Sequence, residues 1–299
     1  MTRQATWINI GTDIREANNV TEALALSGLN YNVVKQNIYL PNGALVPNKF
    51  ATVQEGTDNI FGVVGDSYEL VQNDEAFAFI DGIIPEGLEF VKAGSTKDTV
   101  YIIAKLPEQY ILEDEFTPYI IFQNSHNGFC TLKAAICPLR LVCQNQFAMA
   151  FKNANNFVSL RHSASIKGRL AEAQTILQAS AEFMDTLSRE AEELASIKIS
   201  KAKETLILNN YFAIPEDANQ RKINNIMEKR DEFMVALQQE DNQDYRGTAW
   251  GMVNAFADYI THLEPKRNTE LAEINRFQRV TMDPRMMAEF KNEVLRIAA

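Results

Sequence analysis

Residues 116–171 read FTPYIIFQNSHNGFCTLKAAICPLRLVCQNQFAMAFKNANNFVSLRHSASIKGRLA, and two properties of this stretch organise the reading of the whole chain. The first is its pattern. Tyr119–Gln123 and Phe129–Ile136 are short apolar runs of strand-forming residues, separated by Asn124-Ser125-His126-Asn127-Gly128, whose Asn-Gly is a hairpin turn signal. Pro138 cannot donate to a ladder, so the segment is expected to bend there or to lie at a sheet edge. From Arg140 to Phe151 the apolar anchors Leu141, Phe147 and Phe151 shift toward helical spacing. The second property is charge. The stretch holds none of the chain's 39 acidic residues but carries Lys133, Arg140, Lys152, Arg161, Lys167 and Arg169, with His126, His162 and all three cysteines. Burial in an interior sheet accounts for missing acids. It does not account for six retained cations, which a polyanion site would use. Both readings stand at this level.

Working outward toward the N-terminus, the chain is rich in short strands. Tyr31–Leu40, Phe50–Val53, Ile60–Val64 and Tyr68–Val71 are broken by Pro41-Asn42-Gly43, Gly56, Asn59 and Gly65-Asp66, the signature of an antiparallel meander. Asn73 is placed to cap a helix through Phe77, Phe79 and Ile80 that stops near Gly82 and Pro85. Strands resume at Leu88–Ala93 and Thr99–Leu106. Residues 1–30 read as a lead-in with a short helix from Thr21 to Leu26, stopped by Gly28.

Toward the C-terminus the character changes at Lys167. Leu170, Ala173, Leu177, Met184, Leu187, Ala191 and Leu194 recur at three- and four-residue steps, with Ser180 in the one gap. Such a seam serves either a long helix lying on its own sheet or a contact between chains. Helices are expected over Lys201–Tyr211, Asn219–Gln239, Gly247–Leu263 and Pro284–Ala298, with Pro215 and Pro265 at the breaks. The expected fold is α+β: an antiparallel meander sheet packed by a long helix, then an all-helical C-terminal part. Its expected organisation is a lead-in over 1–30, a β-rich core over 31–165 and a helical region over 166–299 that packs on the core.

Composition narrows the function classes. A net charge of −10 argues against indiscriminate coating of nucleic acid, though not against a focused cationic groove. No apolar run approaches the ~20 residues that span a bilayer, and Met1–Gly11 lacks a basic segment followed by an apolar one. An odd cysteine count suits reduced thiols, so a cytoplasmic protein is expected.

Three constellations carry chemistry. Arg140-Leu141-Val142-Cys143-Gln144-Asn145 sets a rigid cationic fork beside amides that suit base edges, or that brace backbone at a strand junction. Arg161-His162 and Lys167-Gly168-Arg169 precede the long helix, where cations oppose the macrodipole unless an anion arrives. Cys130, Cys137 and Cys143 are spaced by seven and six, without the paired C-x₂₋₄-C that presents two thiolates to zinc. A Cys143, His162, Asn145 nucleophilic group lacks a supporting motif, and no phosphate loop, G-x-G-x-x-G or H-E-x-x-H occurs. No cofactor or metal and no enzymatic activity are expected.

Several motifs together resemble an uncharacterised phage- and plasmid-borne family, the domain of unknown function 932 type. They are Gly65-Asp66-Ser67-Tyr68, Val71-Gln72-Asn73, Glu75-Ala76-Phe77, Asn124–Gly128, Arg140–Asn145, Arg161-His162, Gly247-Thr248-Ala249-Trp250-Gly251, Asn254-Ala255 and Tyr259. The resemblance covers about residues 55–265, with Gln146 where the family has Thr. It implies a mobile-element setting near replication and recombination genes, and supplies no activity. In outline, a meander followed by a long helix is also similar to phage single-strand annealing proteins. The resulting expectation is non-enzymatic binding of single-stranded nucleic acid in recombination or replication, with strand annealing by a homo-oligomer and no membrane partner. Lys133, Arg140, Arg161, Lys167 and Arg169 would hold phosphates, with Gln144, Asn145 and His162 contacting sugar or base. The alternative is a phage-encoded protein that binds a host factor through its acidic helical half.

Overall fold

The structure is a computed structural model that describes residues 10–96, 98–128, 132–140, 145–146, 157–159, 166–262 and 269–299. At 145–146, 157, 166–167, 169–170, 270 and 282 only the backbone is described. In chain order the elements are β1 (Thr12–Asp13), α1 (Val20–Ser27), β2 (Val33–Tyr39), β3 (Leu45–Gln54), β4 (Ile60–Gly65), α2 (Asn73–Phe77), β5 (Glu89–Ser95), β6 (Thr99–Lys105), β7 (Gln109–Ile111), β8 (Asp114–Ser125), β9 (Lys133–Arg140), β10 (Asn145–Gln146) and β11 (Phe157–Ser159). The helices α3 (Ile166–Ser196), α4 (Lys201–Tyr211), α5 (Gln220–Leu237), α6 (Ala249–His262), α7 (Glu270–Met282) and α8 (Arg285–Ala298) follow. The α+β class with antiparallel strands first and helices after is as expected.

The described residues form two sheets. The meander β2-β3-β4 stands apart from a larger sheet in the order β1-β5-β6-β8-β9-β10, to which β7 adds on β8 and β11 on β9. Local chemistry fixes the ends of elements. The Asn19 side chain accepts the Glu22 N–H to start α1, and Gly28 at φ 69° ends it in the left-handed region that glycine enters freely. The short helix expected in the lead-in is α1, whose Val20, Ala23 and Leu24 are core residues; β1, which pairs with β5, was not expected.

The larger sheet is buried on both faces. Along β6, Val100, Ile102 and Ala104 face the cluster containing α1, Phe77, Phe79 and the start of α3, whereas Tyr101 and Ile103 face Phe277 of α7. β8 and β9 alternate in the same sense, Ile120 and Ala134 against Ile121 and Ala135. A sheet covered twice reads as unbroken apolar runs. The seam on α3 is consumed within the chain: Ala173 and Ile176 lie against the sheet, while Phe183, Met184, Leu187, Ala191 and Leu194 enter a helical core with Trp250, Phe256 and Phe290.

Several local expectations differ from the structure, among them the cap of α2, which is Gln72 and not Asn73. Pro138 sits inside β9, opposite Pro118 of β8. The Pro118 carbonyl accepts from Leu106 N–H at 2.9 Å, so the facing prolines are a pair that exchanges no hydrogen bonds. Pro138 therefore points its donorless nitrogen away from β8, between Ala135, the last described partner of β11, and Leu139, a partner of β10. Tyr68–Val71 is not a strand. Just after it, Gln72 lies beside β2: its amide accepts from Val33 N–H (2.8 Å) and donates to Val33 C=O (3.0 Å), imitating one rung of a ladder. Asn145–Gln146, expected in a helical run, pairs as strand with Arg140 and Leu139, and α7 was not anticipated.

Candidate nucleic-acid interface

Arg140 lies deep in the structure. Only 2% exposed, it ends β9 and donates from Nε to Asp114 Oδ2 at 2.8 Å and from Nη2 to Asp114 Oδ1 at 2.9 Å. Nη2 also donates to the Asp241 carbonyl at 2.8 Å, and the guanidinium carbon lies 5.7 Å from the centre of the Tyr245 ring. This two-pronged pair desolvates both ions and joins the sheet to the 3-10 turn at Glu240–Tyr245 that leads into α6. The expectation that Arg140 holds a phosphate is corrected on this ground: its fork is filled by a carboxylate from its own sheet.

The turn after β8 does structural work of the same kind. Asn73 donates to the Leu29 carbonyl at 2.9 Å, which orients its amide so that Oδ1 faces Asn124 Nδ2 (3.3 Å) and His126 Nε2 (2.9 Å). His126 Nε2 is thus the protonated nitrogen, and Nδ1 is buried with no hydrogen-bond partner among the described residues. Burial pushes the His126 pKa down to about 4, so the ring is neutral at pH 7. Its backbone carbonyl accepts from Thr52 Oγ1 of β3 at 2.8 Å, and its ring packs 5.3 Å from that of Phe61 on β4. Gly62 lies so near that a Cβ there would meet Asn127 Cα at 2.8 Å. Asn127 in turn donates to Asp98 at 2.6 Å and accepts from Ser125 Oγ at 2.8 Å. The turn is the seat on which the small meander rests. Composition hinted at the polarity of these residues, but nothing in their order revealed that Asn73 reaches across to them.

The C-terminal motif is also explained by packing. A Cβ at Gly251 would lie 2.1 Å from the Tyr245 carbonyl oxygen, and Asn242 donates to the Gly251 carbonyl at 3.0 Å. Trp250 is fully buried.

Of the remaining expected contacts, Lys133 is half-buried at the start of β9, opposite Gln123 of β8 on one side and exposed Ser159 of β11 on the other. Lys167 and Arg169 fall in the first turn of α3, their side chains outside the described residues. Asn145 is described only as backbone in β10. Gln144, Arg161 and His162 lie outside the described residues, as do Lys152, Cys130 and Cys143. Cys137 is a buried thiol in the core beside α7. Among the described residues no group of three or more His, Cys, Asp or Glu is placed to hold a metal, and no helix is long and apolar enough to cross a membrane.

No curated protein and no solved structure matches the chain. One family profile does, over residues 60–281, and its description is Domain of unknown function (DUF932).

Proposed function

The chain belongs to that family, which carries no assigned activity, and we propose that it is a non-enzymatic binder of single-stranded nucleic acid. The proposed setting is phage or plasmid recombination or replication, with strand annealing by an oligomer. The observation that supports it best is the pairing of Ser159 with Lys133 at the sheet edge. In the sequence Arg161 follows Ser159 by two residues. Lys167 and Arg169 then open α3, whose early residues pack against the same sheet. A run free of acids thus returns to the half-buried cation that begins β9. Lys133, Arg161, Lys167 and Arg169 hold phosphates in this reading; Gln144, Asn145 and His162 contact sugar or base. Arg140 has no part in it.

The test is fluorescence anisotropy of a labelled single strand across a salt series. Affinity falls linearly in log–log form, with about 0.7 of slope per phosphate neutralised. The triple variant Lys133→Ala, Lys167→Ala, Arg169→Ala is expected to lower that slope by about 2 and to bind more weakly at every salt concentration. Absence of wild-type binding at low salt, or an unchanged slope in the triple variant, defeats the proposal.

A further inference from the structure

The outer side of β2 carries backbone hydrogen-bonding groups that no strand among the described residues answers, since β2 ends its sheet. Which groups these are follows from parity. The N–H and C=O of Val33 both go to Gln72, so they point away from β3. Gln54, opposite Val33, likewise sends its N–H to the far side, to Asn59 O at 3.0 Å. Alternation by two then turns the N–H and C=O of Lys35 and Asn37 outward as well. Gln72 closes the rung at Val33 and leaves the next two open.

Edge strands of this kind are usually guarded by a lysine held across the edge. Lys35 does not stand guard. Its ammonium donates to the Asp66 carbonyl at 3.1 Å and lies 5.5 Å and 6.0 Å from the Phe50 and Tyr68 ring centres, drawn back over its own sheet. Beyond the bulge that follows Asn37, the strand runs into exposed apolar side chains: Tyr39 at 60%, Leu40 at 51% and, on β3, Leu45 at 52%.

We infer that this edge is a self-association surface, on which β2 pairs antiparallel with β2 of a second copy of the chain about a two-fold axis at Asn37. A second copy fits because the strand complements itself. With Asn37 opposite Asn37, Gln36 meets Ile38 and Lys35 meets Tyr39, so the one charge on β2 faces an aromatic ring and never its own kind. β2 and β3 contain no acidic residue, so a copy of Lys35 shifted to any other register gains no partner from them. The joined edges make a six-stranded sheet from two meanders and cover Tyr39 and Leu40. The contact is small beside the ~800 Å² per partner of a standard interface, so association on the order of 10 µM is expected. The inference stands on the meander alone and holds whether or not the protein binds nucleic acid.

Sedimentation equilibrium of the full chain, without oligonucleotide, over roughly 1–100 µM reads the result. Wild type is expected to pass from monomer to dimer. Tyr39→Lys puts a second cation opposite Lys35 twice per dimer and weakens association about tenfold. Tyr39→Glu, at the same exposed position, keeps or tightens it. Asn37→Pro removes the N–H aimed at the partner without touching a β2–β3 bond, and leaves a monomer. Its circular dichroism checks that the meander is intact, and the Tyr39 charge pair decides the matter if it is not. A wild type that stays monomeric overturns the inference. So does equal weakening by Lys and Glu at position 39, or a dimer that survives Asn37→Pro in a folded protein.

Discussion

Replacing Arg140 by alanine separates a structural cation from a ligand-binding one. The substitution removes two hydrogen bonds to Asp114, one to the Asp241 carbonyl and the contact with Tyr245. It leaves behind the Asp114 carboxylate, whose side chain is only 12% exposed. Breaking a buried pair from one side costs about 3–5 kcal/mol, mostly through the abandoned charge. For a chain of this size, each kcal/mol moves the thermal midpoint by roughly 2–4 °C, so a fall of about 6–20 °C is expected. The informative measurement is a double-mutant cycle in urea. Asp114→Asn in the Arg140→Ala background removes the orphaned charge, and the pair should show a coupling energy of at least ~1.5 kcal/mol. Salt dependence of oligonucleotide binding, measured where each variant is folded, should match wild type. If Arg140→Ala unfolds within ~0.5 kcal/mol of wild type, or the cycle closes with no coupling, the buried-latch account of Arg140 is wrong.

Two further perturbations bear on the seats described above. His126 has its folded pKa lowered from 6.5 to about 4, so the unfolded chain takes up a proton between those values that the folded chain refuses. Stability is therefore lost as pH falls from about 6.5 toward 4, by about 3 kcal/mol from this group. Denaturation of wild type and His126→Gln at pH 7 and pH 4 should show the difference between them changing by that amount; a constant difference removes His126 from the acid response. Gly251→Ala forces a methyl to within 2.1 Å of the Tyr245 carbonyl and is expected to cost about 3 kcal/mol or more. Gly65→Ala, where nothing lies within 4 Å of the added methyl, should stay within about 0.5 kcal/mol, and similar losses in the two would refute the packing account.

The strands of the larger sheet were legible because β-branched runs such as Thr99–Leu106 keep their character even when both faces are buried. The long helix was legible from the period of its apolar residues; the cap that starts α4, Ser200 accepting the Lys203 N–H, is seen in the structure alone. What failed, failed for reasons of distance. Arg140 read as available because the acid-free stretch starts at Phe116, and its partner Asp114 stands two residues earlier on the neighbouring strand. Strand pairing, invisible along the chain, brings the two together. Pro138 read as an interruption because the direction of its nitrogen depends on register. α7 was not expected although Leu271, Ile274, Phe277 and Val280 recur at three-residue steps; Phe277 meets the sheet and Val280 is buried, whereas Leu271 is exposed. Lys133 and the start of α3 were legible as cations, but their neighbourhood comes from the pairing of β11 with β9.

The long helix α3 belongs to two interiors at once. Its 31 residues extend about 46 Å, the first turns roofing the sheet and the later ones threading the helical cluster. A cut near residue 165 would strip the sheet of its roof and leave the helices without their tie-beam, so neither fragment should survive alone. Melting should accordingly register as one cooperative event by any probe, despite a sequence that looks divided in the middle.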